Sequence, residues 1–529
     1  MGRADAVLGE LGFLDCQAKT IADGCTAIPK NGIDGPVDMA VSPNGRSVYV
    51  LADGSSSISR FNRAANGSLT FASCIADSTA GGCVDDVQSL LLEPNGIAVS
   101  PDGKSVYTVA EGQFGLDDRV VAHFAADSDG DLHFADCQSD LGQLGGCTNR
   151  EPDVLSGVSD VAVSPNGRSV YATTSLGIVT HFAANATGAL SYLGCVGNDS
   201  SDGCVDQPGT PLSGATGIAV GEDGSDVYVA ARARDGIAHF KADALGTLTL
   251  ADCINDAGDA NCANPPGTPL DGANAVALSP DGKSLYVASA NADSVSHLSI
   301  GANGSPTFAD CVADQASVGC TPDPGFMLDG AEDVAVSPDG ANVYVASALA
   351  DSLTRLNTGA DGSLQYGGCL ADTASGGCGD LANSPLNGAD GVVVADEGGL
   401  GNVYATAGVA DAVSRFSREL PVVTPLDTTP PETKIDKGPK RTSTRRKAKF
   451  VFSSSEPGST FVCAVDGAEP KTCTSPHKVK VKVGKRPRRH RFSVAATDAS
   501  GNTDATPSVL RWKVKPKMHG KHGKPGRQK

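Results

Sequence analysis

Short runs in which apolar and polar residues alternate are separated by polar turns, and one such arrangement recurs seven times along the chain. Its clearest copies are MAVSPNGRSVYV (39–50), IAVSPDGKSVYTV (97–109) and VALSPDGKSLYVA (276–288). Alternation with a period of two is typical of a half-buried strand, and Pro-Asn-Gly or Pro-Asp-Gly between two such runs favours a tight turn. Each copy therefore predicts two antiparallel strands. The other copies lie at 161–173, 218–230, 334–346 and, degenerate, 392–406.

Each copy continues into a third alternating run, such as SISRF (57–61), and a fourth, such as GSLTFASC (67–74). The copies follow one another every 58 residues, apart from one step of 63 between Cys74 and Cys137. Four-stranded units repeated seven times without helical periodicity predict a β-propeller. A right-handed solenoid is the structural alternative, although its coils are usually much shorter.

The two ends of the repeat region predict how the ring closes. The seventh copy has three runs and ends with AVSRFSREL (412–420), whereas LGELGFLDC (8–16) aligns with ANGSLTFASC (65–74) as a fourth strand without its first three. We expect the N-terminal strand to complete the last sheet, which would remove the exposed edges that promote aggregation.

The SPDGKxVYVA repeats resemble those of the YVTN-type and lactonase-like seven-bladed propellers of bacteria. The resemblance covers roughly residues 6–420. It implies the propeller fold. It does not determine the activity, because similar repeats occur in lactone hydrolases and in surface proteins of no known activity.

A second domain is predicted after TPLDTTPPET (424–433), a segment typical of a semi-rigid linker. Alternating runs follow, and in HKVKVKVGK (477–485) three valines share one face and three lysines the other. The string SSSEPGSTFVCAVDG…ATDASGNTDATP resembles a bacterial Ig-like domain, which implies a β-sandwich. The predicted fold class is thus all-β throughout. The expected parts are a propeller (1–420), a linker (421–433), an Ig-like sandwich (434–515) and a disordered basic tail (516–529).

All 16 cysteines fall into eight close pairs, which predicts a disulfide framework. Metal binding is the alternative, but zinc sites prefer cysteines two to four residues apart, so no metal site is predicted. Disulfides indicate an oxidising compartment and hence a secreted or cell-surface protein. The predicted pairs are Cys16 with Cys25, Cys74 with Cys83, Cys137 with Cys147, Cys195 with Cys204, Cys253 with Cys262, Cys311 with Cys320, Cys369 with Cys378, and Cys463 with Cys473.

The start MGRADAVLGELG carries no signal-peptide pattern, so we expect that the start is misplaced or trimmed, or that export uses another route. No run approaches the roughly 18 apolar residues that a membrane helix needs. Charge divides the chain: residues 421–529 carry 25 basic and 8 acidic residues (+17), and residues 1–420 carry 17 and 53 (−36). The basic tail could therefore contact an anionic envelope polymer.

Four histidines occupy one position in the third runs of neighbouring copies, where other copies carry Arg60, Arg355 and Arg415. An exchangeable polar strand position is favoured over a site. DSDGD (127–131) hints at calcium, but it aligns with a hairpin turn and lacks the rest of a calcium loop. The histidines are His123, His181, His239 and His297.

The mouth of the central channel is the remaining candidate site, because the positions that begin each first strand differ between copies. The aligned residues are Val37, Asn95, Ser159, Thr216, Asn274, Glu332 and Asp390, and the next positions include Asp38, Asp160 and Asp333. The cysteine-bridged loops should surround the same face, and they carry Asp23, Asp77, Asp140, Asp199, Asp256, Asp314 and Asp372.

Two functions are compatible with this pattern. In the first, the acidic face binds a carbohydrate, a small molecule or a protein. The protein is expected to be a monomer. The alternative is a lactonase-like hydrolase in which Glu332 or Asp390 is the general base and Asn95 and Asn274 position the lactone. No nucleotide, haem or zinc-protease motif occurs, and a single Trp disfavours the quinone-dependent propellers, so no cofactor is predicted.

Overall fold

The computed structural model divides the chain into two compact units, Met1–Pro421 and Val422–Lys529. The structure describes residues 11–20, 25–77, 82–85, 90–112, 119–140, 146–149, 153–200, 203–258, 262–315, 319–373, 377–397, 400–418, 429–498 and 501–516. Most of the predicted linker and of the predicted tail (516–529) lies outside them, and so does Asp23.

In the described residues unit 1 contains seven sheets, each built mainly of antiparallel strands and numbered 1 to 7 along the chain. The first strands are Pro36–Val41, Pro94–Val99, Val158–Val163, Ala215–Val220, Ala273–Leu278, Ala331–Val336 and Ala389–Glu397. The second strands are Ser47–Ala52, Ser105–Ala110, Ser169–Thr174, Asp226–Ala231, Ser284–Ser289, Asn342–Ser347 and Leu400–Ala407. The third strands are Ser57–Arg63, Val120–Ala126, Ile178–Ala184, Gly236–Ala242, Ser294–Ile300, Ser352–Thr358 and Ala412–Arg418.

The fourth strands complete the sheets, and sheet 7 takes its fourth strand from the N-terminal end of the chain. They are Leu69–Ala76, Leu132–Ser139, Leu190–Gly197, Leu248–Asn255, Pro306–Ala313, Leu364–Ala371 and, in sheet 7, Leu11–Ala18. Six sheets add a short parallel edge strand, formed by Val84–Asp85, Thr148–Asn149, Val205–Asp206, Cys320–Pro322, Gly379–Asp380 and, in sheet 7, Thr26–Ala27. In sheet 4 a 3-10 turn at Arg232–Arg234 links the second and third strands.

Each first strand packs against the first strands of the two neighbouring sheets, and that of sheet 7 packs against that of sheet 1. The seven sheets therefore surround a central channel, as the blades of a β-propeller do, and the all-β prediction is confirmed. The N-terminal strand pairs in antiparallel register with the third strand of sheet 7, from Leu11 opposite Arg418 to Ala18 opposite Ala412. The ring is closed by this pairing, as the alignment predicts.

A buried tyrosine in each second strand joins neighbouring sheets. In sheet 3 the Tyr171 hydroxyl donates to the Gly246 carbonyl of sheet 4 at 2.7 Å, and in sheet 7 the Tyr404 hydroxyl donates to Gly67 of sheet 1. Six such bonds occur among the described residues. Since a buried carbonyl without a partner costs about 1–3 kcal/mol, each of these bonds stabilises the contact between one sheet and the next.

The four repeated histidines belong to the same inter-sheet packing. His123 is buried and stacked on Tyr107, with its Nδ1 at 2.8 Å from Asp136 and its Nε2 at 3.0 Å from Ser105. Asp136 in turn accepts from the amide of Leu190 in the next sheet. Burial and satisfied hydrogen bonds support the prediction of a structural position. DSDGD forms the turn between the third and fourth strands of sheet 2, as predicted.

All eight predicted disulfides are present, and each joins cysteines nine or ten residues apart. Seven of them close the loops that follow the fourth strands of unit 1, and the eighth lies in unit 2. The bridges indicate an oxidising compartment. They join Cys16 to Cys25, Cys74 to Cys83, Cys137 to Cys147, Cys195 to Cys204, Cys253 to Cys262, Cys311 to Cys320, Cys369 to Cys378, and Cys463 to Cys473.

Within the described residues no helix is long and apolar enough to cross a membrane.

Unit 2 is built of two small sheets around an aromatic core that contains Phe450, Phe492 and Trp512. The three-stranded sheet consists of Thr433–Lys437, Lys447–Ser454 and His477–Lys480. The five-stranded sheet consists of Thr442–Ser443, Ser508–Val514, Arg488–Thr497, Thr460–Val465 and Lys471–Cys473. The Ig-like topology stays a prediction.

Candidate functional site

The channel opens on two faces that differ in chemistry. The first strands begin at one face, which also carries the disulfide loops and the turns between second and third strands, and we call it the mouth face. They end at the other face, where five of the seven sheets carry a Ser-Pro-Asn-Gly or Ser-Pro-Asp-Gly turn. All the candidate residues named from the sequence at the start of the first strands therefore lie at the mouth face.

The first set of mouth residues forms hydrogen bonds from one sheet to the next. Asn95 Nδ2 donates to the Val158 carbonyl at 2.9 Å, and Ser159 Oγ donates to the Ala215 carbonyl at 2.7 Å. Thr216 Oγ1 donates to the Asn274 carbonyl at 2.8 Å. These side chains thus join consecutive blades, and their role in ligand binding stays a prediction.

Asp38, Asp160 and Asp333, which we call the channel carboxylates, also connect neighbouring sheets. Each accepts one amide of its own strand and one of the next sheet. Asp160, for example, accepts from Val161 at 2.7 Å and from Ile218 at 3.0 Å. Asp38 reaches Ile97 and Asp333 reaches Val392 in the same way. Three of the seven contacts between first strands are therefore bridged by a carboxylate.

Small residues occupy the aligned positions in the other four sheets, which are Gly96, Gly217, Ala275 and Gly391. A Cβ atom on Gly96 would lie 2.9 Å from Asp160 Oδ1 and 3.0 Å from Asp160 Cα, closer than such atoms approach one another. Large and small side chains thus alternate around most of the ring, so that the carboxylates fit into a narrow channel.

Burial raises the pKa of all three channel carboxylates. The pKa of Asp160 rises to about 7 and that of Asp333 to about 6. The pKa of Asp38 is raised well above its usual value, by burial and then by the charges of Asp160 and Asp333. The three carboxylates are only partly exposed, so that water solvates their charges poorly.

One part of the mouth departs from the repeat, and we call it the mouth cluster: Arg232, Asn274, Glu332 and Asp390, from sheets 4 to 7. Asn274 Nδ2 donates to Glu332 Oε2 at 2.8 Å. Arg232 Nη1 lies 3.2 Å from Asn274 Oδ1 and 3.6 Å from Glu332 Oε2. Asp390 Oδ2 accepts the amide of Gly408 at 3.0 Å. Four polar side chains are thereby brought to one side of the mouth.

The two carboxylates of the mouth cluster have raised pKa values. Burial raises the pKa of Glu332, and the Arg232 guanidinium opposes the shift. Burial and then the charge of Glu332 raise the pKa of Asp390 to about 6. Both side chains are only partly exposed, and the Glu332 side chain is 27 % exposed. A carboxylate whose pKa lies near neutrality is suited to proton transfer.

Two exposed apolar residues lie on the loops of the sheets that supply these carboxylates. Val409 follows Gly408, the donor to Asp390, and is 71 % exposed. Leu349, at the same loop position in sheet 6, is 74 % exposed. The mouth face of sheets 6 and 7 therefore combines partly buried carboxylates with apolar side chains.

The aspartates of the disulfide loops are used within the fold. Asp140 accepts the amides of Val154 and Leu155 at 3.1 and 2.6 Å, and Asp77, Asp256, Asp314 and Asp372 each accept the amide of a leucine fourteen residues further on. In sheet 3 this position belongs to Asn198, which accepts from Leu212, whereas the predicted Asp199 is exposed.

Burial raises the pKa of Asp140 to about 8 and the pKa values of Asp256 and Asp314 to about 7. Among the residues that the structure describes, no group of three or more His, Cys, Asp or Glu is arranged to hold a metal ion. The loop aspartates therefore hold the loops in place. Because they are used inside the fold, the surface of this face is less acidic than the number of aspartates in the sequence indicates.

A cavity of about 1240 Å³ lies on the opposite face between turns of sheets 2 to 4. Its polar residues serve the turns: Asn166 Oδ1 accepts from Ser164 and Arg168, and Asp102 Oδ1 accepts from Ser100 and Lys104. Since these groups are used in the turns, we place the candidate site at the mouth cluster instead.

Arg232 is the functional candidate that sequence reasoning missed. It lies in the loop between the second and third strands. In every sheet, the backbone amide at this position donates to the carbonyl of the residue that precedes the first strand. The aligned residues are Asp53, Glu111, Ser175, Ala290, Ala348 and Gly408. An arginine among acidic and small residues at one repeat position is the signal that would have identified it.

No family model and no curated protein matches the chain. One similar solved structure is the periplasmic gluconolactonase of Pseudomonas aeruginosa, at 18 % identity over 71 % of this chain and 98 % of that one, with a TM-score of 0.47. Another is hydrazine synthase of Kuenenia stuttgartiensis, at 14 % identity over 73 % of this chain and 97 % of that one, with a TM-score of 0.45. A third is a functionally unknown protein of Desulfotomaculum acetoxidans, at 15 % identity over 66 % of this chain and 88 % of that one, with a TM-score of 0.43. Similarity at this level carries no argument about function, and the propeller fold rests on the strand pairing described above.

Proposed function

We propose that this is a secreted or cell-surface protein whose propeller binds a small, hydroxyl-rich ligand at the mouth cluster. The observation that carries the proposal is the convergence of Arg232, Asn274, Glu332 and Asp390 from four consecutive sheets of an otherwise repetitive ring. Carboxylate, amide and guanidinium groups are the side chains that accept from and donate to hydroxyl groups. Leu349 and Val409 supply apolar surface for the carbon face of such a ligand.

The test is calorimetric binding of a panel of neutral mono- and oligosaccharides to the purified, oxidised full-length chain. Glu332→Gln and Asp390→Asn are expected to weaken binding tenfold or more, because each removes one acceptor for a ligand hydroxyl. Glu222→Gln is the matched control, since Glu222 is exposed in a turn on the opposite face. Unchanged affinity in both mouth variants, or an equal loss in the control, would refute the proposal.

Lactone hydrolysis is the second candidate function, and it is favoured by the Asp390 pKa of about 6. Asp390 would take a proton from water as the water oxygen attacks the lactone carbonyl. The ring C–O bond then breaks, and the leaving oxygen takes the proton to give a hydroxy acid. A guanidinium such as that of Arg232 can stabilise the negative charge that develops on the carbonyl oxygen.

Acid release from sugar and acyl lactones measures this activity. The rate should rise with pH through an inflection near a pKa of about 6 and fall by about 10²–10⁴ in Asp390→Asn. Glu222→Gln again serves as the control. Turnover that Asp390→Asn leaves intact would exclude Asp390 as the base, and saccharide binding without turnover would favour the first function.

A further inference from the structure

Lysines face one another across the three-stranded sheet of unit 2. Lys447 lies directly opposite Lys480, and Lys449 opposite Lys478. All four are exposed, whereas the residues that alternate with Lys447 and Lys449, namely Ala448 and Phe450, are buried. Like charges directly opposite each other destabilise an antiparallel pair, so this arrangement costs stability.

The neighbouring strand adds to the same surface. Lys434 pairs with the exposed Ser453, and Lys437 pairs with Val451, so both lie on the outer side of the sheet. Asp436, in the bulge between them, is the one acidic residue of this sheet. Within the described residues no carboxylate forms an ion pair with any of the six lysines, which we call the lysine face: Lys434, Lys437, Lys447, Lys449, Lys478 and Lys480.

The five-stranded sheet repeats the arrangement on the other side of the unit. Arg489 lies opposite Lys513, and Arg491 opposite Arg511. The residues between them, His490 and Trp512, point into the core and are buried. Both outer faces of unit 2 thus carry cross-strand pairs of like positive charge, which an anionic partner would stabilise on both sides.

We propose that unit 2 binds a flexible anionic polysaccharide through the lysine face and the arginine pairs of the opposite sheet. A planar membrane or a rigid duplex touches one face at a time, whereas a flexible chain can follow both. The large apolar residues exposed in unit 2 among those described are Val462 and Val509, both on the five-stranded sheet, so the lysine face offers nothing to insert into a bilayer.

The same surface is poorly suited to single-stranded nucleic acid, which binds by stacking bases on exposed aromatic rings. Phe450, Phe452 and Phe492 are buried in the core of unit 2, and Phe461 is partly buried against it. The disulfides place the protein in an oxidising compartment, where acidic polysaccharides of the cell envelope are accessible. Recognition would be electrostatic, with one acid group of the polymer near each exposed cation.

The experiment measures the affinity of the full-length, oxidised protein for polygalacturonate and dextran sulfate at roughly 25–200 mM NaCl. The sheet variant combines Lys447→Gln, Lys449→Gln, Lys478→Gln and Lys480→Gln. The tail control, which tests the basic tail as the alternative site for the polymer, removes the same charge with Lys521→Gln, Lys524→Gln, Arg527→Gln and Lys529→Gln. At about 100 mM NaCl we expect the sheet variant to bind at least tenfold more weakly and to lower the slope of log K against log salt by about 3.

Several outcomes would overturn the proposal: wild-type affinity in the sheet variant, an equal loss in the tail control, or tighter binding of duplex DNA or of phosphatidylglycerol vesicles than of either polysaccharide. The melting temperature of unit 2 in the sheet variant should not fall, because repulsion is removed. Should that variant fail to fold, the combination of Arg489→Gln, Arg491→Gln, Arg511→Gln and Lys513→Gln tests the opposite sheet, and unchanged binding there would equally refute the two-faced site.

Discussion

The melting temperature of unit 1 should fall as the pH is raised from about 5 to 8, by roughly 5–10 °C. Asp160 and Asp333 have pKa values of about 7 and 6 in the folded ring, against about 3.9 for an unfolded chain. A carboxyl group with a raised folded-state pKa contributes stability that is fully present below the unfolded pKa and lost as the pH rises through the folded pKa. The loop residues Asp140, Asp256 and Asp314 contribute with the same sign.

A buried histidine acts in the opposite direction at lower pH. Burial lowers the pKa of His181 to about 4, so its contribution to stability is lost as the pH falls from about 6.5 towards 4. The raised carboxyls outnumber this histidine, so the stability of unit 1 should be greatest near a pH of about 4, close to the pKa of an unfolded carboxyl. Calorimetric melting at constant ionic strength, at intervals of half a pH unit, would locate this maximum.

The variant Asp160→Asn distinguishes the contribution of a channel carboxylate to the pH dependence of stability from that of the other acidic groups. It should be less stable than the wild type at a pH of about 5, because an amide offers one acceptor to the two backbone donors at Val161 and Ile218. It should also lose less stability as the pH rises to about 8, because one ionisation is removed. A melting temperature that rises over this interval, or the same pH dependence in Asp160→Asn, would contradict the assignment.

Reduction of the disulfides should unfold unit 1 at about 37 °C. Each of its seven bridges closes a loop of about ten residues, and the loop-entropy estimate is about 2–3 kcal/mol for each. The sum for seven bridges is comparable with the whole stability of a typical domain, about 5–15 kcal/mol. Circular dichroism and thiol titration with increasing reductant would follow the loss of structure against the number of bridges opened.

A single bridge provides the matched control. Replacing Cys463 and Cys473 by serine removes the bridge of unit 2, and it should lower only the melting transition of that unit, because the two units have separate cores. Replacing Cys253 and Cys262 by serine should lower only the transition of unit 1. A fully reduced protein with unchanged melting would show that the sheets alone hold the ring.

The architecture was predictable because it follows from sequence patterns that are local and that repeat along the chain. The Pro-Asn-Gly and Pro-Asp-Gly turns, the alternating runs and the paired cysteines each require only neighbouring residues. The closure by Leu11–Ala18 followed from one missing strand at each end. Repetition also showed that His123 and its counterparts lie at one radius, and the structure adds that each packs on a tyrosine.

The chemistry of the mouth was less predictable, because it depends on distances between blades. Asp160 was identified as a channel residue, but its bond to Ile218 is set by how sheet 4 packs beside sheet 3. Arg232 was missed, because its guanidinium reaches the side chains of sheets 5 and 6 from a loop of sheet 4. The distances across blades have no signature in the spacing of residues along the chain, although alignment of the repeats does mark Arg232 as the one arginine at its position.

The closing strand also sets a minimum time for the biogenesis of the ring. The guanidinium of Arg415 binds the carboxylate of Asp15, a residue 400 positions earlier in the chain. At roughly 5–20 residues per second, a ribosome needs on the order of 20–80 s to make the segment between them. During that interval the N-terminal strand lacks its antiparallel partner Ala412–Arg418, so the ring is expected to close only after nearly all of unit 1 has been synthesised.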